Sequence, residues 1–111
     1  MRPPRATPRS DRPGRRTVGA RGEALVAAAL RARGWRVVAH RLRAAGAEID
    51  LLVRRGRTWA AVEVKSSGAH PAPERTARTP QFERIERALR ALGPTLRPRP
   101  RNLRVDIVAV R

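Results

Sequence analysis

The chain has 111 residues, enough for one domain, with 26 basic residues against 9 acidic ones and a formal net charge of +17. It has no cysteine, which excludes disulfides and thiolate zinc sites and fits a reducing, cytoplasmic setting. His40 and His70 are too few and too far apart for a His-rich metal site. No apolar run approaches the ~20 residues of a membrane span, and the N-terminus lacks the apolar core of a signal peptide.

With aromatic content at 3%, the core must come from Leu, Val, Ile and Ala. The positive charge exceeds what solubility needs and points to a polyanion, most commonly nucleic acid. A GC-rich genome accounts for Arg replacing Lys, but not for the excess of bases over acids.

Residues 1–16 hold six Arg and four Pro without an apolar pattern, and read as a disordered basic arm. Residues 17–33 read as a first helix, with Thr17 as N-cap, Gly34 as stop, and Val26, Ala29, Leu30 and Arg33 on one face. Glu23 lies three residues before Val26 and seven before Leu30, which turns a carboxylate toward the core side, either to join the other acids or to pair with Arg41 or Arg43. Residues 35–41 and 47–54 suit two strands. In the second, strict alternation puts Ile49, Leu51 and Val53 on one face and Glu48, Asp50 and Leu52 on the other. A turn at Gly56 leads to a third strand, 58–65, with Ala60, Val62 and Val64 on one side and Ala61, Glu63 and Lys65 on the other. Residues 66–78 read as a loop. Thr79-Pro80 opens a second helix with Phe82, Ile85, Leu89 and Leu92 on its stripe, and Gly93-Pro94 closes it. Residues 103–110 read as a last strand. The order is α-β-β-β-α-β: an α/β fold with a mixed sheet and flanking helices. The third strand, second helix and last strand should form a right-handed crossover.

The hairpin at Gly56 sets position 50 near position 61, and a slip of one or two residues sets Asp50 directly across from Glu63. In either register the two carboxylates fall ~5–8 Å apart between Cβ atoms. Lys65 lies ~7 Å further along the same face of its strand. Carboxylates crowded on a half-buried face are unfavourable unless something neutralises them. Mg²⁺ (or Mn²⁺) does so, taking Asp50, Glu63 and the Val64 backbone carbonyl while retaining waters. Lys65 is the only lysine in the chain. Arginine is always protonated, whereas a lysine can orient or deprotonate a water or balance charge on a phosphate. Arg41, Arg43, Arg54, Arg55 and Arg57 are candidate phosphate clamps, and Gln81 can reach a phosphate or a bound water. Glu48 shares the face of Asp50 but can equally pair with an Arg. Asp106 reads as a structural partner for Arg104.

Gly22-Glu23, Ala47-Glu48-Ile49-Asp50-Leu51-Leu52, Val62-Glu63-Val64-Lys65 and Val105-Asp106-Ile107-Val108 together resemble the bacterial YraN family. That family shows GE, GEIDLI, VEVK and RFDVV in this order. Ala47 and Val105 depart from its Gly and Phe, and the segment after Lys65 is unusually Pro-rich. The resemblance covers about residues 17–111. It implies a restriction-endonuclease-like, PD-(D/E)XK domain, similar in motif order to archaeal Holliday-junction resolvases. Asp50, Glu63 and Lys65 would then be the D…ExK core, with Glu23 as the acid from the first helix. The implied activity is Mg²⁺-dependent cleavage of DNA, branched or damaged forms included, with a homodimer as a plausible assembly. The alternative is a non-catalytic nucleic-acid-binding module that keeps the nuclease fold.

Overall fold

The computed structural model describes residues 13–66 and 79–110. The elements are α1 (Pro13–Ala32), β1 (Arg36–Ala44), β2 (Ala47–Arg55), β3 (Thr58–Ser66), α2 (Pro80–Leu92) and β4 (Asn102–Val110), with one 3₁₀ turn at Gly93–Thr95. This is the expected α-β-β-β-α-β order. The sheet order is β1-β2-β3-β4, antiparallel across the first three strands and parallel between β3 and β4. The arrangement is compatible with a restriction-endonuclease-like fold.

Two tight turns set the meander. Ala45 and Gly46 both have positive φ, 48° and 80°, as a two-residue type I′ turn requires. Gly56, with φ 62°, takes the first central position of the β2–β3 turn, where a glycine has no steric cost.

One helix covers each face of the sheet. Val26 and Ala27 of α1 pack on Leu51, Val53, Ala60 and Val62. Ile85, Ala88 and Leu89 of α2 pack on Leu42, Ile49, Leu52, Trp59 and Ala61. Gly22 lets α1 close down on the sheet: a Cβ there would lie 3.4 Å from Val64 Cγ1. At the start of α2, the Thr79 hydroxyl accepts the Phe82 N–H at 3.0 Å and Pro80 takes the first turn, as expected.

Three readings are corrected. Helix α1 begins at Pro13, so Thr17 lies inside it, and residues 1–12 of the expected arm lie outside the described residues. Its buried stripe turns toward Ala27, leaving Ala29 and Arg33 exposed. Strict alternation in β2 also fails: Ile49 shares the α2 side with Leu52, while Leu51 and Val53 face α1. The reason is a break in the strand at Asp50, described below. The loop read at 66–78 lies outside the described residues from 67 onward. Among the described residues, no helix is long and apolar enough to cross a membrane.

Candidate active site

The register between β2 and β3 runs from Arg55↔Thr58 to Leu51↔Val62 and then stops. Both strands continue, β2 paired to β1 as far as Ala47↔Ala44 and β3 paired to β4 as far as Ser66↔Val110. The sheet therefore opens between β2 and β3 one residue beyond Leu51 and Val62. Continued by that residue, the register sets Asp50 opposite Glu63, the slipped alternative of the two expected.

The two carboxylates fill the opening. The Asp50 N–H donates to Glu63 Oε2 at 3.2 Å, and the Val64 N–H donates to Asp50 Oδ2 at 2.9 Å. Each acid thus satisfies a backbone donor that a ladder carbonyl would otherwise take. Asp50 enters neither register, since β1 pairs His40↔Leu51 and Leu42↔Ile49 and skips the positions between. Opposite it on β1, Arg41 has a φ of 49°, an uncommon conformation for a non-glycine residue. This break shifts Ile49 and Leu51 to opposite faces.

Glu63 is 4% exposed, the buried charged residue of the core. Burial, then the charge of Asp50, pushes its carboxyl up to about 8. Asp50 is also raised, by burial first, while the Val64 N–H pulls the other way. The two carboxyls are close enough that each perturbs the other's proton affinity. Glu23 approaches from α1. Burial and the nearby Asp50 charge raise its carboxyl, and Arg41 Nε contacts its Oε1 at 3.3 Å.

Lys65 follows on β3, where its Nζ donates to Gln81 Oε1 on the first turn of α2 at 2.7 Å. A cleft of about 380 Å³ opens over these groups, lined by Arg43, Glu48, Asp50, Glu63, Lys65, Gln81 and Arg84 among others. A larger cleft of about 500 Å³ runs along β4. The acid that lines it, Asp106, is paired with Arg104 at 2.9 Å as expected.

The structure thus brings together Asp50, Glu63, Val64, Lys65, Glu23, Gln81 and Arg43. Arg41 is nearby but is engaged with Glu23. Arg54, Arg55 and Arg57 are not with them: they lie at the far end of the hairpin, ~16 Å away along the strands. Arg84 was missed by sequence reasoning. Its signal was available, since it falls one helical turn after Gln81 on α2. Among the described residues, no group of three His, Cys, Asp or Glu side chains is gathered to hold a metal. A metal here would draw on two carboxylates, a backbone carbonyl and waters, a ligand set that suits Mg²⁺. Two buried carboxylates whose proton affinity burial raises fit such a cation, because its charge offsets the burial of theirs.

A profile described as "Uncharacterised protein family UPF0102" matches residues 22–110. A UPF0102 protein of Parvibaculum lavamentivorans is 40% identical over 118 residues, covering 99% of this chain and 89% of that protein. One of Methylorubrum populi is 41% identical over 111 residues, covering 99% and 88%. One of Rhizorhabdus wittichii is 38% identical over 93 residues, covering 84% and 79%. The match spans every element from the Gly22-Glu23 pair to the end of β4, and the chain belongs to the UPF0102 family.

Proposed function

We propose that this protein is a Mg²⁺- or Mn²⁺-dependent phosphodiesterase of the PD-(D/E)XK type that cuts DNA, branched or damaged forms included. One observation carries the reading. Asp50 and Glu63 face each other where the β2–β3 ladder opens, and Lys65 stands two residues further on, bonded to Gln81. Packing alone gives no reason for a carboxylate pair with raised proton affinity to sit beside the sole lysine.

Asp50, Glu63 and the Val64 carbonyl would hold the metal, which supplies charge stabilisation for the phosphate and an acidified water. Lys65 orients that water or balances the charge that develops on the phosphate, and Gln81 holds the ammonium in place. Arg43 and Arg84 line the cleft and are placed to take flanking phosphates. Glu23 orients Arg41 and adds negative field behind Asp50. A branched junction offers two strands to cut, so two copies of the chain would act on one junction.

The test is metal-dependent nicking of linear, supercoiled and branched DNA. Lys65→Ala is expected to lower the rate by about 10²–10³-fold, the cost of removing one charge-stabilising donor. Equal cleavage by the wild type and Lys65→Ala would assign the activity to a contaminant. The high positive charge also supports a second reading, a binding module without chemistry. That reading requires salt-sensitive DNA binding, no effect of Mg²⁺ and no cut on any substrate.

A further inference from the structure

The arginines stranded at the far end of the hairpin form a surface of their own. The segments that meet there, 31–38, 53–60 and 93–104, contain no acidic residue. The β2–β3 turn and the segment leading into β4 are stitched together. Arg57 Nε donates to the Arg99 carbonyl at 2.7 Å, and the Arg57 carbonyl accepts the N–H groups of Arg101 and Asn102 at 2.7 and 3.2 Å. Trp59 Nε1 donates to the Pro98 carbonyl at 3.0 Å. These bonds tie the turn that carries Arg54, Arg55 and Arg57 to the segment that carries Arg97, Arg99 and Arg101.

The guanidinium groups there are held by neutral partners. Arg54 lies 5.9 Å from the Trp59 ring centre and donates to the Gly56 carbonyl at 3.1 Å. Arg55 lies 4.8 Å from the Trp35 ring centre and donates to the Arg33 carbonyl at 3.3 Å. A carbonyl or an indole face fixes a guanidinium without cancelling its charge, and leaves most of its five donors free. Among the described residues no carboxylate pairs with them, and fixed, outward donors suit the phosphodiester backbone, which arginine grips in bidentate fashion.

We infer that the Arg54–Arg57 turn and the Arg97–Arg101 segment form a second, sequence-independent phosphate-binding platform for nucleic acid, separate from the carboxylate cleft. Its ~16 Å offset from Asp50 and Glu63 along the hairpin lets it hold the backbone several nucleotides from the scissile bond. The inference deepens the proposed function by giving its substrate a docking surface. It does not require that the acid pair cut anything.

The experiment is a salt titration of duplex DNA binding by the full chain without divalent metal. One variant is Arg57→Gln/Arg99→Gln/Arg101→Gln. A second, Arg99→Gln/Arg101→Gln, keeps the Arg57 to Arg99 bond. A control, Arg21→Gln/Arg87→Gln, removes the same charge as the second variant from exposed helix positions away from the platform. The slope of log affinity against log salt should fall by about 0.9 for each phosphate that the variant no longer neutralises, so by about two to three in the triple variant, with little change in the control. Equal losses in platform and control variants would reduce the effect to net charge and overturn the inference. So would unchanged DNA binding, or weakened capture of anionic phospholipid vesicles with DNA affinity intact. Asp50→Asn separates the two readings: lost cleavage with an unchanged slope supports both, and unchanged cleavage removes only the catalytic one.

Discussion

At neutral pH Glu63 keeps its proton because the folded chain offers its charge little water and a carboxylate neighbour. Its carboxyl titrates at 4.5 when unperturbed and at about 8 in the fold. Below about pH 4.5 both states are protonated and the contribution to stability is fully present. Between the two values the unfolded chain releases a proton that the fold retains, so stability falls as pH rises, and the loss is complete above about 8. Urea midpoints of the metal-free protein are therefore expected to decline across that window. Glu63→Gln, which has no such proton to lose, should show a shallower decline. A midpoint that rises with pH in the metal-free wild type would contradict this account of the pair. Arg41 belongs to the same scale: its contact with Glu23, one of the two pairings open to that acid in the sequence, and its positive φ place it as a support for the acids, and only the φ was hidden from the sequence.

Among the elements, α2 was the most legible. Thr79-Pro80 names its own first turn, and the spacing of Ile85 and Leu89 names its buried face. The second and third strands and the turn at Gly56 were also readable, because the alternation around that glycine leaves few alternatives, whereas the run of β1 to Ala44 and its turn at Ala45-Gly46 were not read. The break at Asp50 was not. Alternation presumes that every residue joins a ladder, and Asp50 leaves both, so a period-two reading put Ile49 on the wrong side. The start of α1 was hidden because Pro13 and Gly14 look like loop residues, yet proline is tolerated in a first helical turn. The β1–β2 turn carries a local cost that substitution should expose. Ala45 sits at φ 48°, where an alanine is disfavoured and asparagine is better tolerated. Ala45→Asn is expected to raise stability by about 0.5–1 kcal/mol in chemical denaturation, with an unchanged slope. No gain would mean that the turn geometry differs from type I′.

For the molecule as a whole, the three layers separate two kinds of charge. The carboxylates gather where β2 and β3 part, next to the start of α2, while the acid-free segments converge at the other end. The carboxylate core was legible in the sequence, since Asp50, Glu63 and Lys65 needed only a hairpin to bring them together. The separation of the arginines from that core was not, because a count of charges carries no position. Metal binding is a whole-molecule property when the ligands span two strands that have parted. A cation at hundredfold its dissociation constant would stabilise the fold by about 2.7 kcal/mol. Mn²⁺ or Mg²⁺ is therefore expected to raise the melting temperature of the wild type by several degrees and to leave Asp50→Asn unchanged. Equal shifts in both proteins would place the ion elsewhere.

The amides of Asp50 and Val64 donate to side-chain carboxylates, whereas Leu51 and Val62 belong to the regular β2–β3 register. An amide proton senses the charge of the oxygen that it faces. In a nitrogen–proton correlation spectrum these two signals should move together with acid titration or added cation while the Leu51 and Val62 signals stay in place. The fold thus carries its own pair of spectroscopic gauges, which can register what occupies the gap between the strands without any substrate being turned over.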